Sequence, residues 1–165
     1  MLTTVSNSDA LVAALATAKS GDTIQLTSGT YGALTLRDLN FAQSGVTVRS
    51  VDPAHEAILT GLTLKNSTGL TFQNLELTVD PLKADNPFQI LSSTNVKLDH
   101  LNVHGSLDGN GQNDQSALLI RNSSGIAVTN SNFHDLQNAI AHVDTDHVTL
   151  SGNQFHDIRT DGVHG

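Results

Sequence analysis

Five short segments of this 165-residue chain are variants of one pattern, and that pattern limits the fold more than any other feature. Gly45-Val-Thr-Val opens the first. Gly69-Leu-Thr-Phe-Gln-Asn-Leu-Glu-Leu, Asn95-Val-Lys-Leu-Asp-His-Leu-Asn-Val, Gly125-Ile-Ala-Val-Thr-Asn-Ser-Asn-Phe and His147-Val-Thr-Leu-Ser-Gly-Asn-Gln-Phe follow. Their starts lie roughly 20–30 residues apart, the period of repeats that bury their apolar faces only by stacking on one another. Strand alternation turns the second and fourth residues inward: Val46/Val48, Leu70/Phe72, Val96/Leu98, Ile126/Val128 and Val148/Leu150. A second strand ends on inward Leu77, Val103, Phe133 or Phe155, and a third (Phe88-Gln-Ile-Leu, Ala117-Leu-Leu-Ile-Arg, Ala139-Ile-Ala-His-Val) leads to the next unit.

Three strands per turn predict three parallel sheets, with equivalent side chains about 4.8 Å apart in columns. Gly, Asn, Ser and Asp at the bends can satisfy the backbone locally. An antiparallel sandwich would need Asn-Gly hairpins between alternating runs, whereas Asn110-Gly111 sits inside a long polar insertion. Gly21-Asp-Thr-Ile-Gln-Leu and Ala33-Leu-Thr-Leu read as degenerate first-coil strands. Before them, Leu11, Val12, Leu15 and Ala16 form the apolar face of a helix that Ser8 or Asp9 would cap and Gly21 would stop. The expectation is one all-β domain over residues 1–165, with a helical cap at about 8–20 and coils over about 21–165. The chain stops in a third strand, Asp161-Gly-Val-His-Gly165, so further coils or another chain are expected to cover that end.

Residues 78–87 and 105–116 lengthen two adjacent coils at the same corner. Solenoids commonly gather binding sites on such an edge, although neutral insertion would leave the same trace. The net charge of −8, from 8 Lys+Arg against 16 Asp+Glu, argues against nucleic acid or an anionic membrane as partner. No stretch approaches the ~20 apolar residues that span a bilayer. A polyanionic glycan would need a bound cation or a local basic patch. The absence of cysteine fits an extracellular bacterial protein held by packing, and equally a cytosolic one. Met1-Leu-Thr-Thr-Val-Ser lacks the regions of a signal peptide, so a secreted chain would carry its export signal elsewhere, such as on a C-terminal part.

Val5-Ser-Asn-Ser-Asp-Ala-Leu-Val-Ala-Ala-Leu, with Ser20-Gly-Asp-Thr-Ile-Gln-Leu and Gly29-Thr-Tyr-Gly, resembles the opening of pectin-lyase-like right-handed parallel β-helices. It is most similar to chondroitinase-B/alginate-lyase-type polysaccharide lyases and related secreted proteins. The Asn-x-Phe-His-Asp-[Leu/Ile] coils are similar to the generic repeats of the same superfamily, mannuronan epimerases included. The resemblance implies an extracellular protein, a polysaccharide partner, and lyase or C5-epimerase chemistry on uronate-containing glycans. In that chemistry a basic residue takes the proton α to the uronate carboxylate while a cation or Arg neutralises the carboxylate. The Tyr-Gly-Phe-Asp-Pro-His signature of alginate epimerases has no counterpart, the one tyrosine being Tyr31. No catalytic residue carries over, and a non-catalytic binding, adhesive or structural module of a larger extracellular protein is the alternative.

The residues themselves offer a column of histidines. His104, His134 and His156 fall at equivalent positions, followed in register by Asp135 and Asp157. They are expected to face outward at the corner of the long loops, where imidazoles could move protons or hold a metal and the carboxylates could bind sugar hydroxyls. A repeated corner motif would look the same. Arg121 and Arg159 could each clamp a sugar carboxylate. Asp108, Asn110 and Asp114, with intervening glycines, have the oxygen chemistry of a calcium loop, and Asp144-Thr-Asp146 is a weaker version. His142 and His164 stand 22 residues apart; strict register buries both below Ile90 and Ile120, whereas a one-residue shift turns His164 outward beside Asp161. The Thr47, Thr71 and Thr149 column is broken by Lys97 and Ala127, so it does not form a flat ice-binding ladder.

Overall fold

A computed structural model describes residues 1–42 and 44–165. The first sheet stacks Leu2–Val5, Thr23–Leu26, Val46–Ser50, Thr68–Gln73, Thr94–Asp99, Ser124–Thr129 and Asp146–Ser151. A second face stacks Gly29–Thr30, Ala57–Leu59, Leu75–Thr78 and Asn102–His104. A third stacks Ala33–Arg37, Gly61–Lys65, Phe88–Leu91 and Leu118–Arg121. In the last two coils Asn132–Val143 and Gln154–His164 run through both of these faces, so the two join into one ten-stranded sheet. All pairings are parallel, as Leu70, Val96, Ile126 and Val148 illustrate in one continuous register. Parallel neighbours in register put like side chains over like, and the inward columns form one buried core. Phe133 is fully buried and stacks on Phe155, with ring centroids 5.3 Å apart. In the last coil Phe155 is 37% exposed.

The corners explain the residues that open and close the repeat. Asn74, His100 and Asn130 leave the first sheet at φ 51°, 50° and 51°, the left-handed region that short polar side chains tolerate best. Gly69 enters it at φ 74°, where a Cβ would lie 1.7 Å from the Phe41 carbonyl oxygen, so only glycine fits. At the third corner a buried serine ladder replaces water: the Ser67 amide donates to Ser93 Oγ and the Ser93 amide to Ser123 Oγ, each at 3.1 Å. Asp99 anchors another corner. Its buried carboxylate accepts from Thr129 Oγ1 at 2.5 Å, His100 Nδ1 at 2.9 Å, Asn130 Nδ2 at 3.1 Å and Gln73 Nε2 at 3.2 Å, with Lys97 Nζ at 3.6 Å. Burial alone would raise its pKa. The hydrogen bonds and the Lys97 charge outweigh that and hold it well below the ordinary carboxylate range.

Three local expectations change. The helix spans Ser8–Thr17, and its cap is Asn7, whose side chain accepts from the Ala10 amide at 2.8 Å, rather than Ser8 or Asp9. It ends before Gly21 because Ala18 already has extended backbone. The first sheet also begins ahead of the helix, since Leu2–Val5 pairs with Thr23–Leu26. Buried Tyr31 ties the two together by a hydroxyl placed 2.9 Å from the Val5 carbonyl. Finally, His142 does continue the Ile120 column, but a bulge between Leu136 and Asn138 shifts the register, so Ala141 rather than His142 faces His164. His164 therefore lies exposed, its Nδ1 3.4 Å from Asp161 Oδ2, and His142 is only half-buried, its Nδ1 3.1 Å from Thr145 Oγ1, so neither histidine is buried.

Candidate functional site

The two long connections, 79–87 and 105–117, leave the same corner and brace each other. The Ser116 amide donates to Asp85 Oδ1 at 2.8 Å, the Asn86 amide to the Ser116 carbonyl at 2.8 Å, and Gln115 Nε2 to the Pro81 carbonyl at 3.3 Å. The next two coils have no such insertion, and Asp135 and Asp157 turn the corner alone in left-handed conformation, at φ 52° and 53°. The loop over 105–117 therefore stands as a wall above a tight corner. Between them lies a cavity of about 370 Å³ lined by Ser106, Asn110, Asp114, Asp135, Asp157 and Arg159, among others.

The histidines form one stack beside this cavity. Register pairs His104 with His134 and His134 with His156. Ring centroids are 5.2 and 4.8 Å apart, with interplanar angles of 20° and 4°. Side-chain exposure rises along the column from 10% at His104 and 15% at His134 to 51% at His156. Hydrogen bonding divides them further. His104 engages Gly105 O through Nδ1 at 2.9 Å and Glu76 Oε1 through Nε2 at 3.0 Å. His134 engages Asp135 Oδ2 through Nδ1 at 2.6 Å and Asn102 Oδ1 through Nε2 at 3.1 Å. His156 is held through Nδ1 alone, 2.8 Å from Asp157 Oδ2. Donation from that nitrogen leaves the lone pair of a neutral ring on Nε2, which has no hydrogen-bond partner among the described residues.

Asp114 is the most unusual group of the cavity. It is 6% exposed, and its Oδ1 is buried without a hydrogen-bond partner. Burial raises its pKa; the charges of Asp135 and Asp108 add to this, and Arg159 opposes it. The sequence marks Asp114 only as an oxygen ligand, because nothing in the chain order reveals that the loop folds it underneath.

The sequence candidates thus do not form one cluster. Asn110, Asp114, Asp135, Asp157 and Arg159 line one cavity. His104, His134 and His156 adjoin it through the two aspartates and one another. In the calcium trio, two side-chain oxygens are engaged within the loop: Asp108 Oδ1 accepts from the Asn110 amide at 2.8 Å, and Asn110 Oδ1 from the Gln112 amide at 3.2 Å, which stiffens the loop. Among the described residues no three carboxylate or imidazole groups are placed to hold a metal ion. Arg121 lies apart, exposed at the far end of Leu118–Arg121 on the third face, in the column of Lys65 and Arg37.

Comparison with known proteins places the fold. No curated protein matches the sequence. Four solved chains match, among them an alginate lyase from Paenibacillus sp. str. FPU-7, with 14% identity, a TM-score of 0.49, and coverage of 94% of this chain and 76% of that one. A family model described as a right handed beta helix region matches residues 32–165. Together with the parallel register of every coil, that match makes the chain a member of the right-handed β-helix family.

Proposed function

We propose that this chain is the substrate-holding part of an extracellular lyase- or epimerase-type β-helix that acts on a uronate-containing polysaccharide at the walled corner. The observation that carries the reading is His156: a half-exposed imidazole oriented by Asp157, with Nε2 free, beside a cavity that also contains Arg159. Arg159 would pair with the sugar carboxylate and so stabilise charge that develops next to it. Nε2 of His156 would take the proton from the carbon α to that carboxylate. In a lyase, the electron pair then forms the C4–C5 double bond as the C4–O bond breaks, and the leaving oxygen takes up a proton. In an epimerase, a proton returns to the opposite face of the same carbon.

One observation favours the second reading, a non-catalytic glycan-binding module. Both nitrogens of His104 and of His134 are already engaged, as expected of a structural ladder. The test is ultraviolet detection of unsaturated uronate on alginate, pectate and chondroitin, with and without calcium, together with deuterium uptake at C5 in heavy water. Either signal, lost in His156→Ala and lowered at least about 100-fold in that variant, supports the enzyme reading. No signal from any glycan, or full activity in His156→Ala, rejects it.

A further inference from the structure

A second concavity lies on the opposite edge of the second face, where the chain leaves the first sheet. It encloses about 400 Å³, and its lining includes Pro53, Glu56, His100, Asn102, Asn130, Asn132 and Gln154. The volume lies within the ordinary range of small-ligand clefts, roughly 300–1,000 Å³. None of the candidate residues of the walled corner belongs to it.

Its chemistry is specific. Asn102, Asn132 and Gln154 are in strand register, so three outward carboxamides stand one coil apart. Asn132 Oδ1 is buried without a partner. Asn102 uses its Oδ1 on His134, which leaves its NH2 group to donate. His100 uses Nδ1, and Asn130 its Nδ2, on Asp99, which leaves His100 Nε2 and Asn130 Oδ1. The cleft thus gathers unused donors and acceptors from successive coils, the kind of groups that sugar hydroxyls satisfy. Pro53 adds an apolar wall for the C–H face of a ring. There is no Lys or Arg in the lining, and Glu56 is its one acidic residue. Burial, with Glu76 nearby, holds that carboxyl above its usual range.

We infer that this cleft is a second saccharide site, and that it takes neutral sugar units rather than uronates. Neutral hydroxyls pair with the carboxamides, whereas a sugar carboxylate would meet Glu56 without a Lys or Arg to compensate. The site goes beyond the reaction proposed for the walled corner and stands or falls separately from it. It would seat neutral residues or branches of a glycan along the helix axis.

The experiment is a 1H–15N titration of the intact protein that follows the side-chain amides of Asn102, Asn132 and Gln154. The probes are methyl glucoside, methyl galactoside and methyl mannoside, each paired with its uronide. The expected result is a saturable shift of these amides with at least one neutral glycoside, and weaker binding of the matching uronide. Asn132→Ala and the exposed Gln154→Ala should each weaken binding roughly tenfold, the loss of one or two neutral hydrogen bonds. The Gln154→Ala variant guards against misfolding, because its side chain packs against nothing in the core. Absence of a saturable shift with every neutral glycoside overturns the inference. So does a uronide that binds as well as its neutral counterpart, or unchanged binding in both variants.

Discussion

Gly105 makes the architecture of the walled corner testable by a single methyl group. It follows His104, begins the loop that forms the wall, and donates its amide to the His134 carbonyl at 3.2 Å. A Cβ added there would lie 2.0 Å from the Asp135 carbonyl oxygen and 3.2 Å from its carbon. Real Cβ contacts begin near 3.0 Å, so Gly105→Ala requires the two coils to part by about 1 Å at this point. Overpacking against backbone costs roughly 1–3 kcal/mol, and the strained amide contact adds about 1 kcal/mol. A total of about 2–4 kcal/mol corresponds to a Tm drop of roughly 5–15 °C for a chain of this length. Because Asp135 holds His134 at 2.6 Å, the displacement should also shift the His134 ring resonances. Gly111→Ala is the control. Its Cβ would meet only Asp114 Oδ2 at an ordinary 3.5 Å, so stability should stay within about 0.5 kcal/mol. Thermal unfolding followed by circular dichroism measures both. A Gly105→Ala protein that melts with Gly111→Ala and the parent would refute the tight coil approach on which the corner depends.

Two carboxylates should respond to pH in opposite directions. Asp99→Asn should cost about 2–3 kcal/mol at neutral pH, since the amide cannot accept from all the donors that surround the carboxylate. Its folded pKa lies below the ordinary 3.8, so the parent's advantage should be complete above that value and fade as pH falls toward the lower folded one; urea midpoints that differ equally at pH 7 and pH 2 would contradict this. Asp114 has a folded pKa above the ordinary 3.8, so its ionisation costs stability at neutral pH; that cost shrinks as pH falls below the folded value and is gone below 3.8. Asp114→Asn should therefore stabilise the protein by about 1 kcal/mol at neutral pH and by nothing in acid, and a loss of stability at neutral pH would show that the buried oxygen has a partner.

The coils were legible in the sequence because a parallel solenoid repeats its side chains along columns, and each inward pair from Val46/Val48 onward occupies a position set by alternation alone. The histidine register was legible for the same reason. Long-range packing was less so. The strand Leu2–Val5 has no repeat before it to align with, and Asn7 competes as a cap with two equally suitable neighbours. The bulge that exposes His164 adds one residue between Ile158 and Asp161, and no turn residue marks it. The burial of Asp114 depends on how the wall folds over a neighbouring coil. The carboxamide cleft is not legible in the sequence because Asn102, Asn132 and Gln154 read as ordinary polar outward positions until Pro53 and Glu56 are placed beside them.

The columns also fix how this surface can be lengthened. Each of the last three coils contributes one carboxamide and one imidazole to the second face, at a step of about 4.8 Å. Groove length is therefore counted in whole coils: duplicating the 22 residues from Asn132 to Asn153 adds one rung to both columns without disturbing either neighbour, whereas a single-residue insertion inverts the faces of one strand. Reach along a glycan can thus be altered in discrete increments, independently of the chemistry at any one rung.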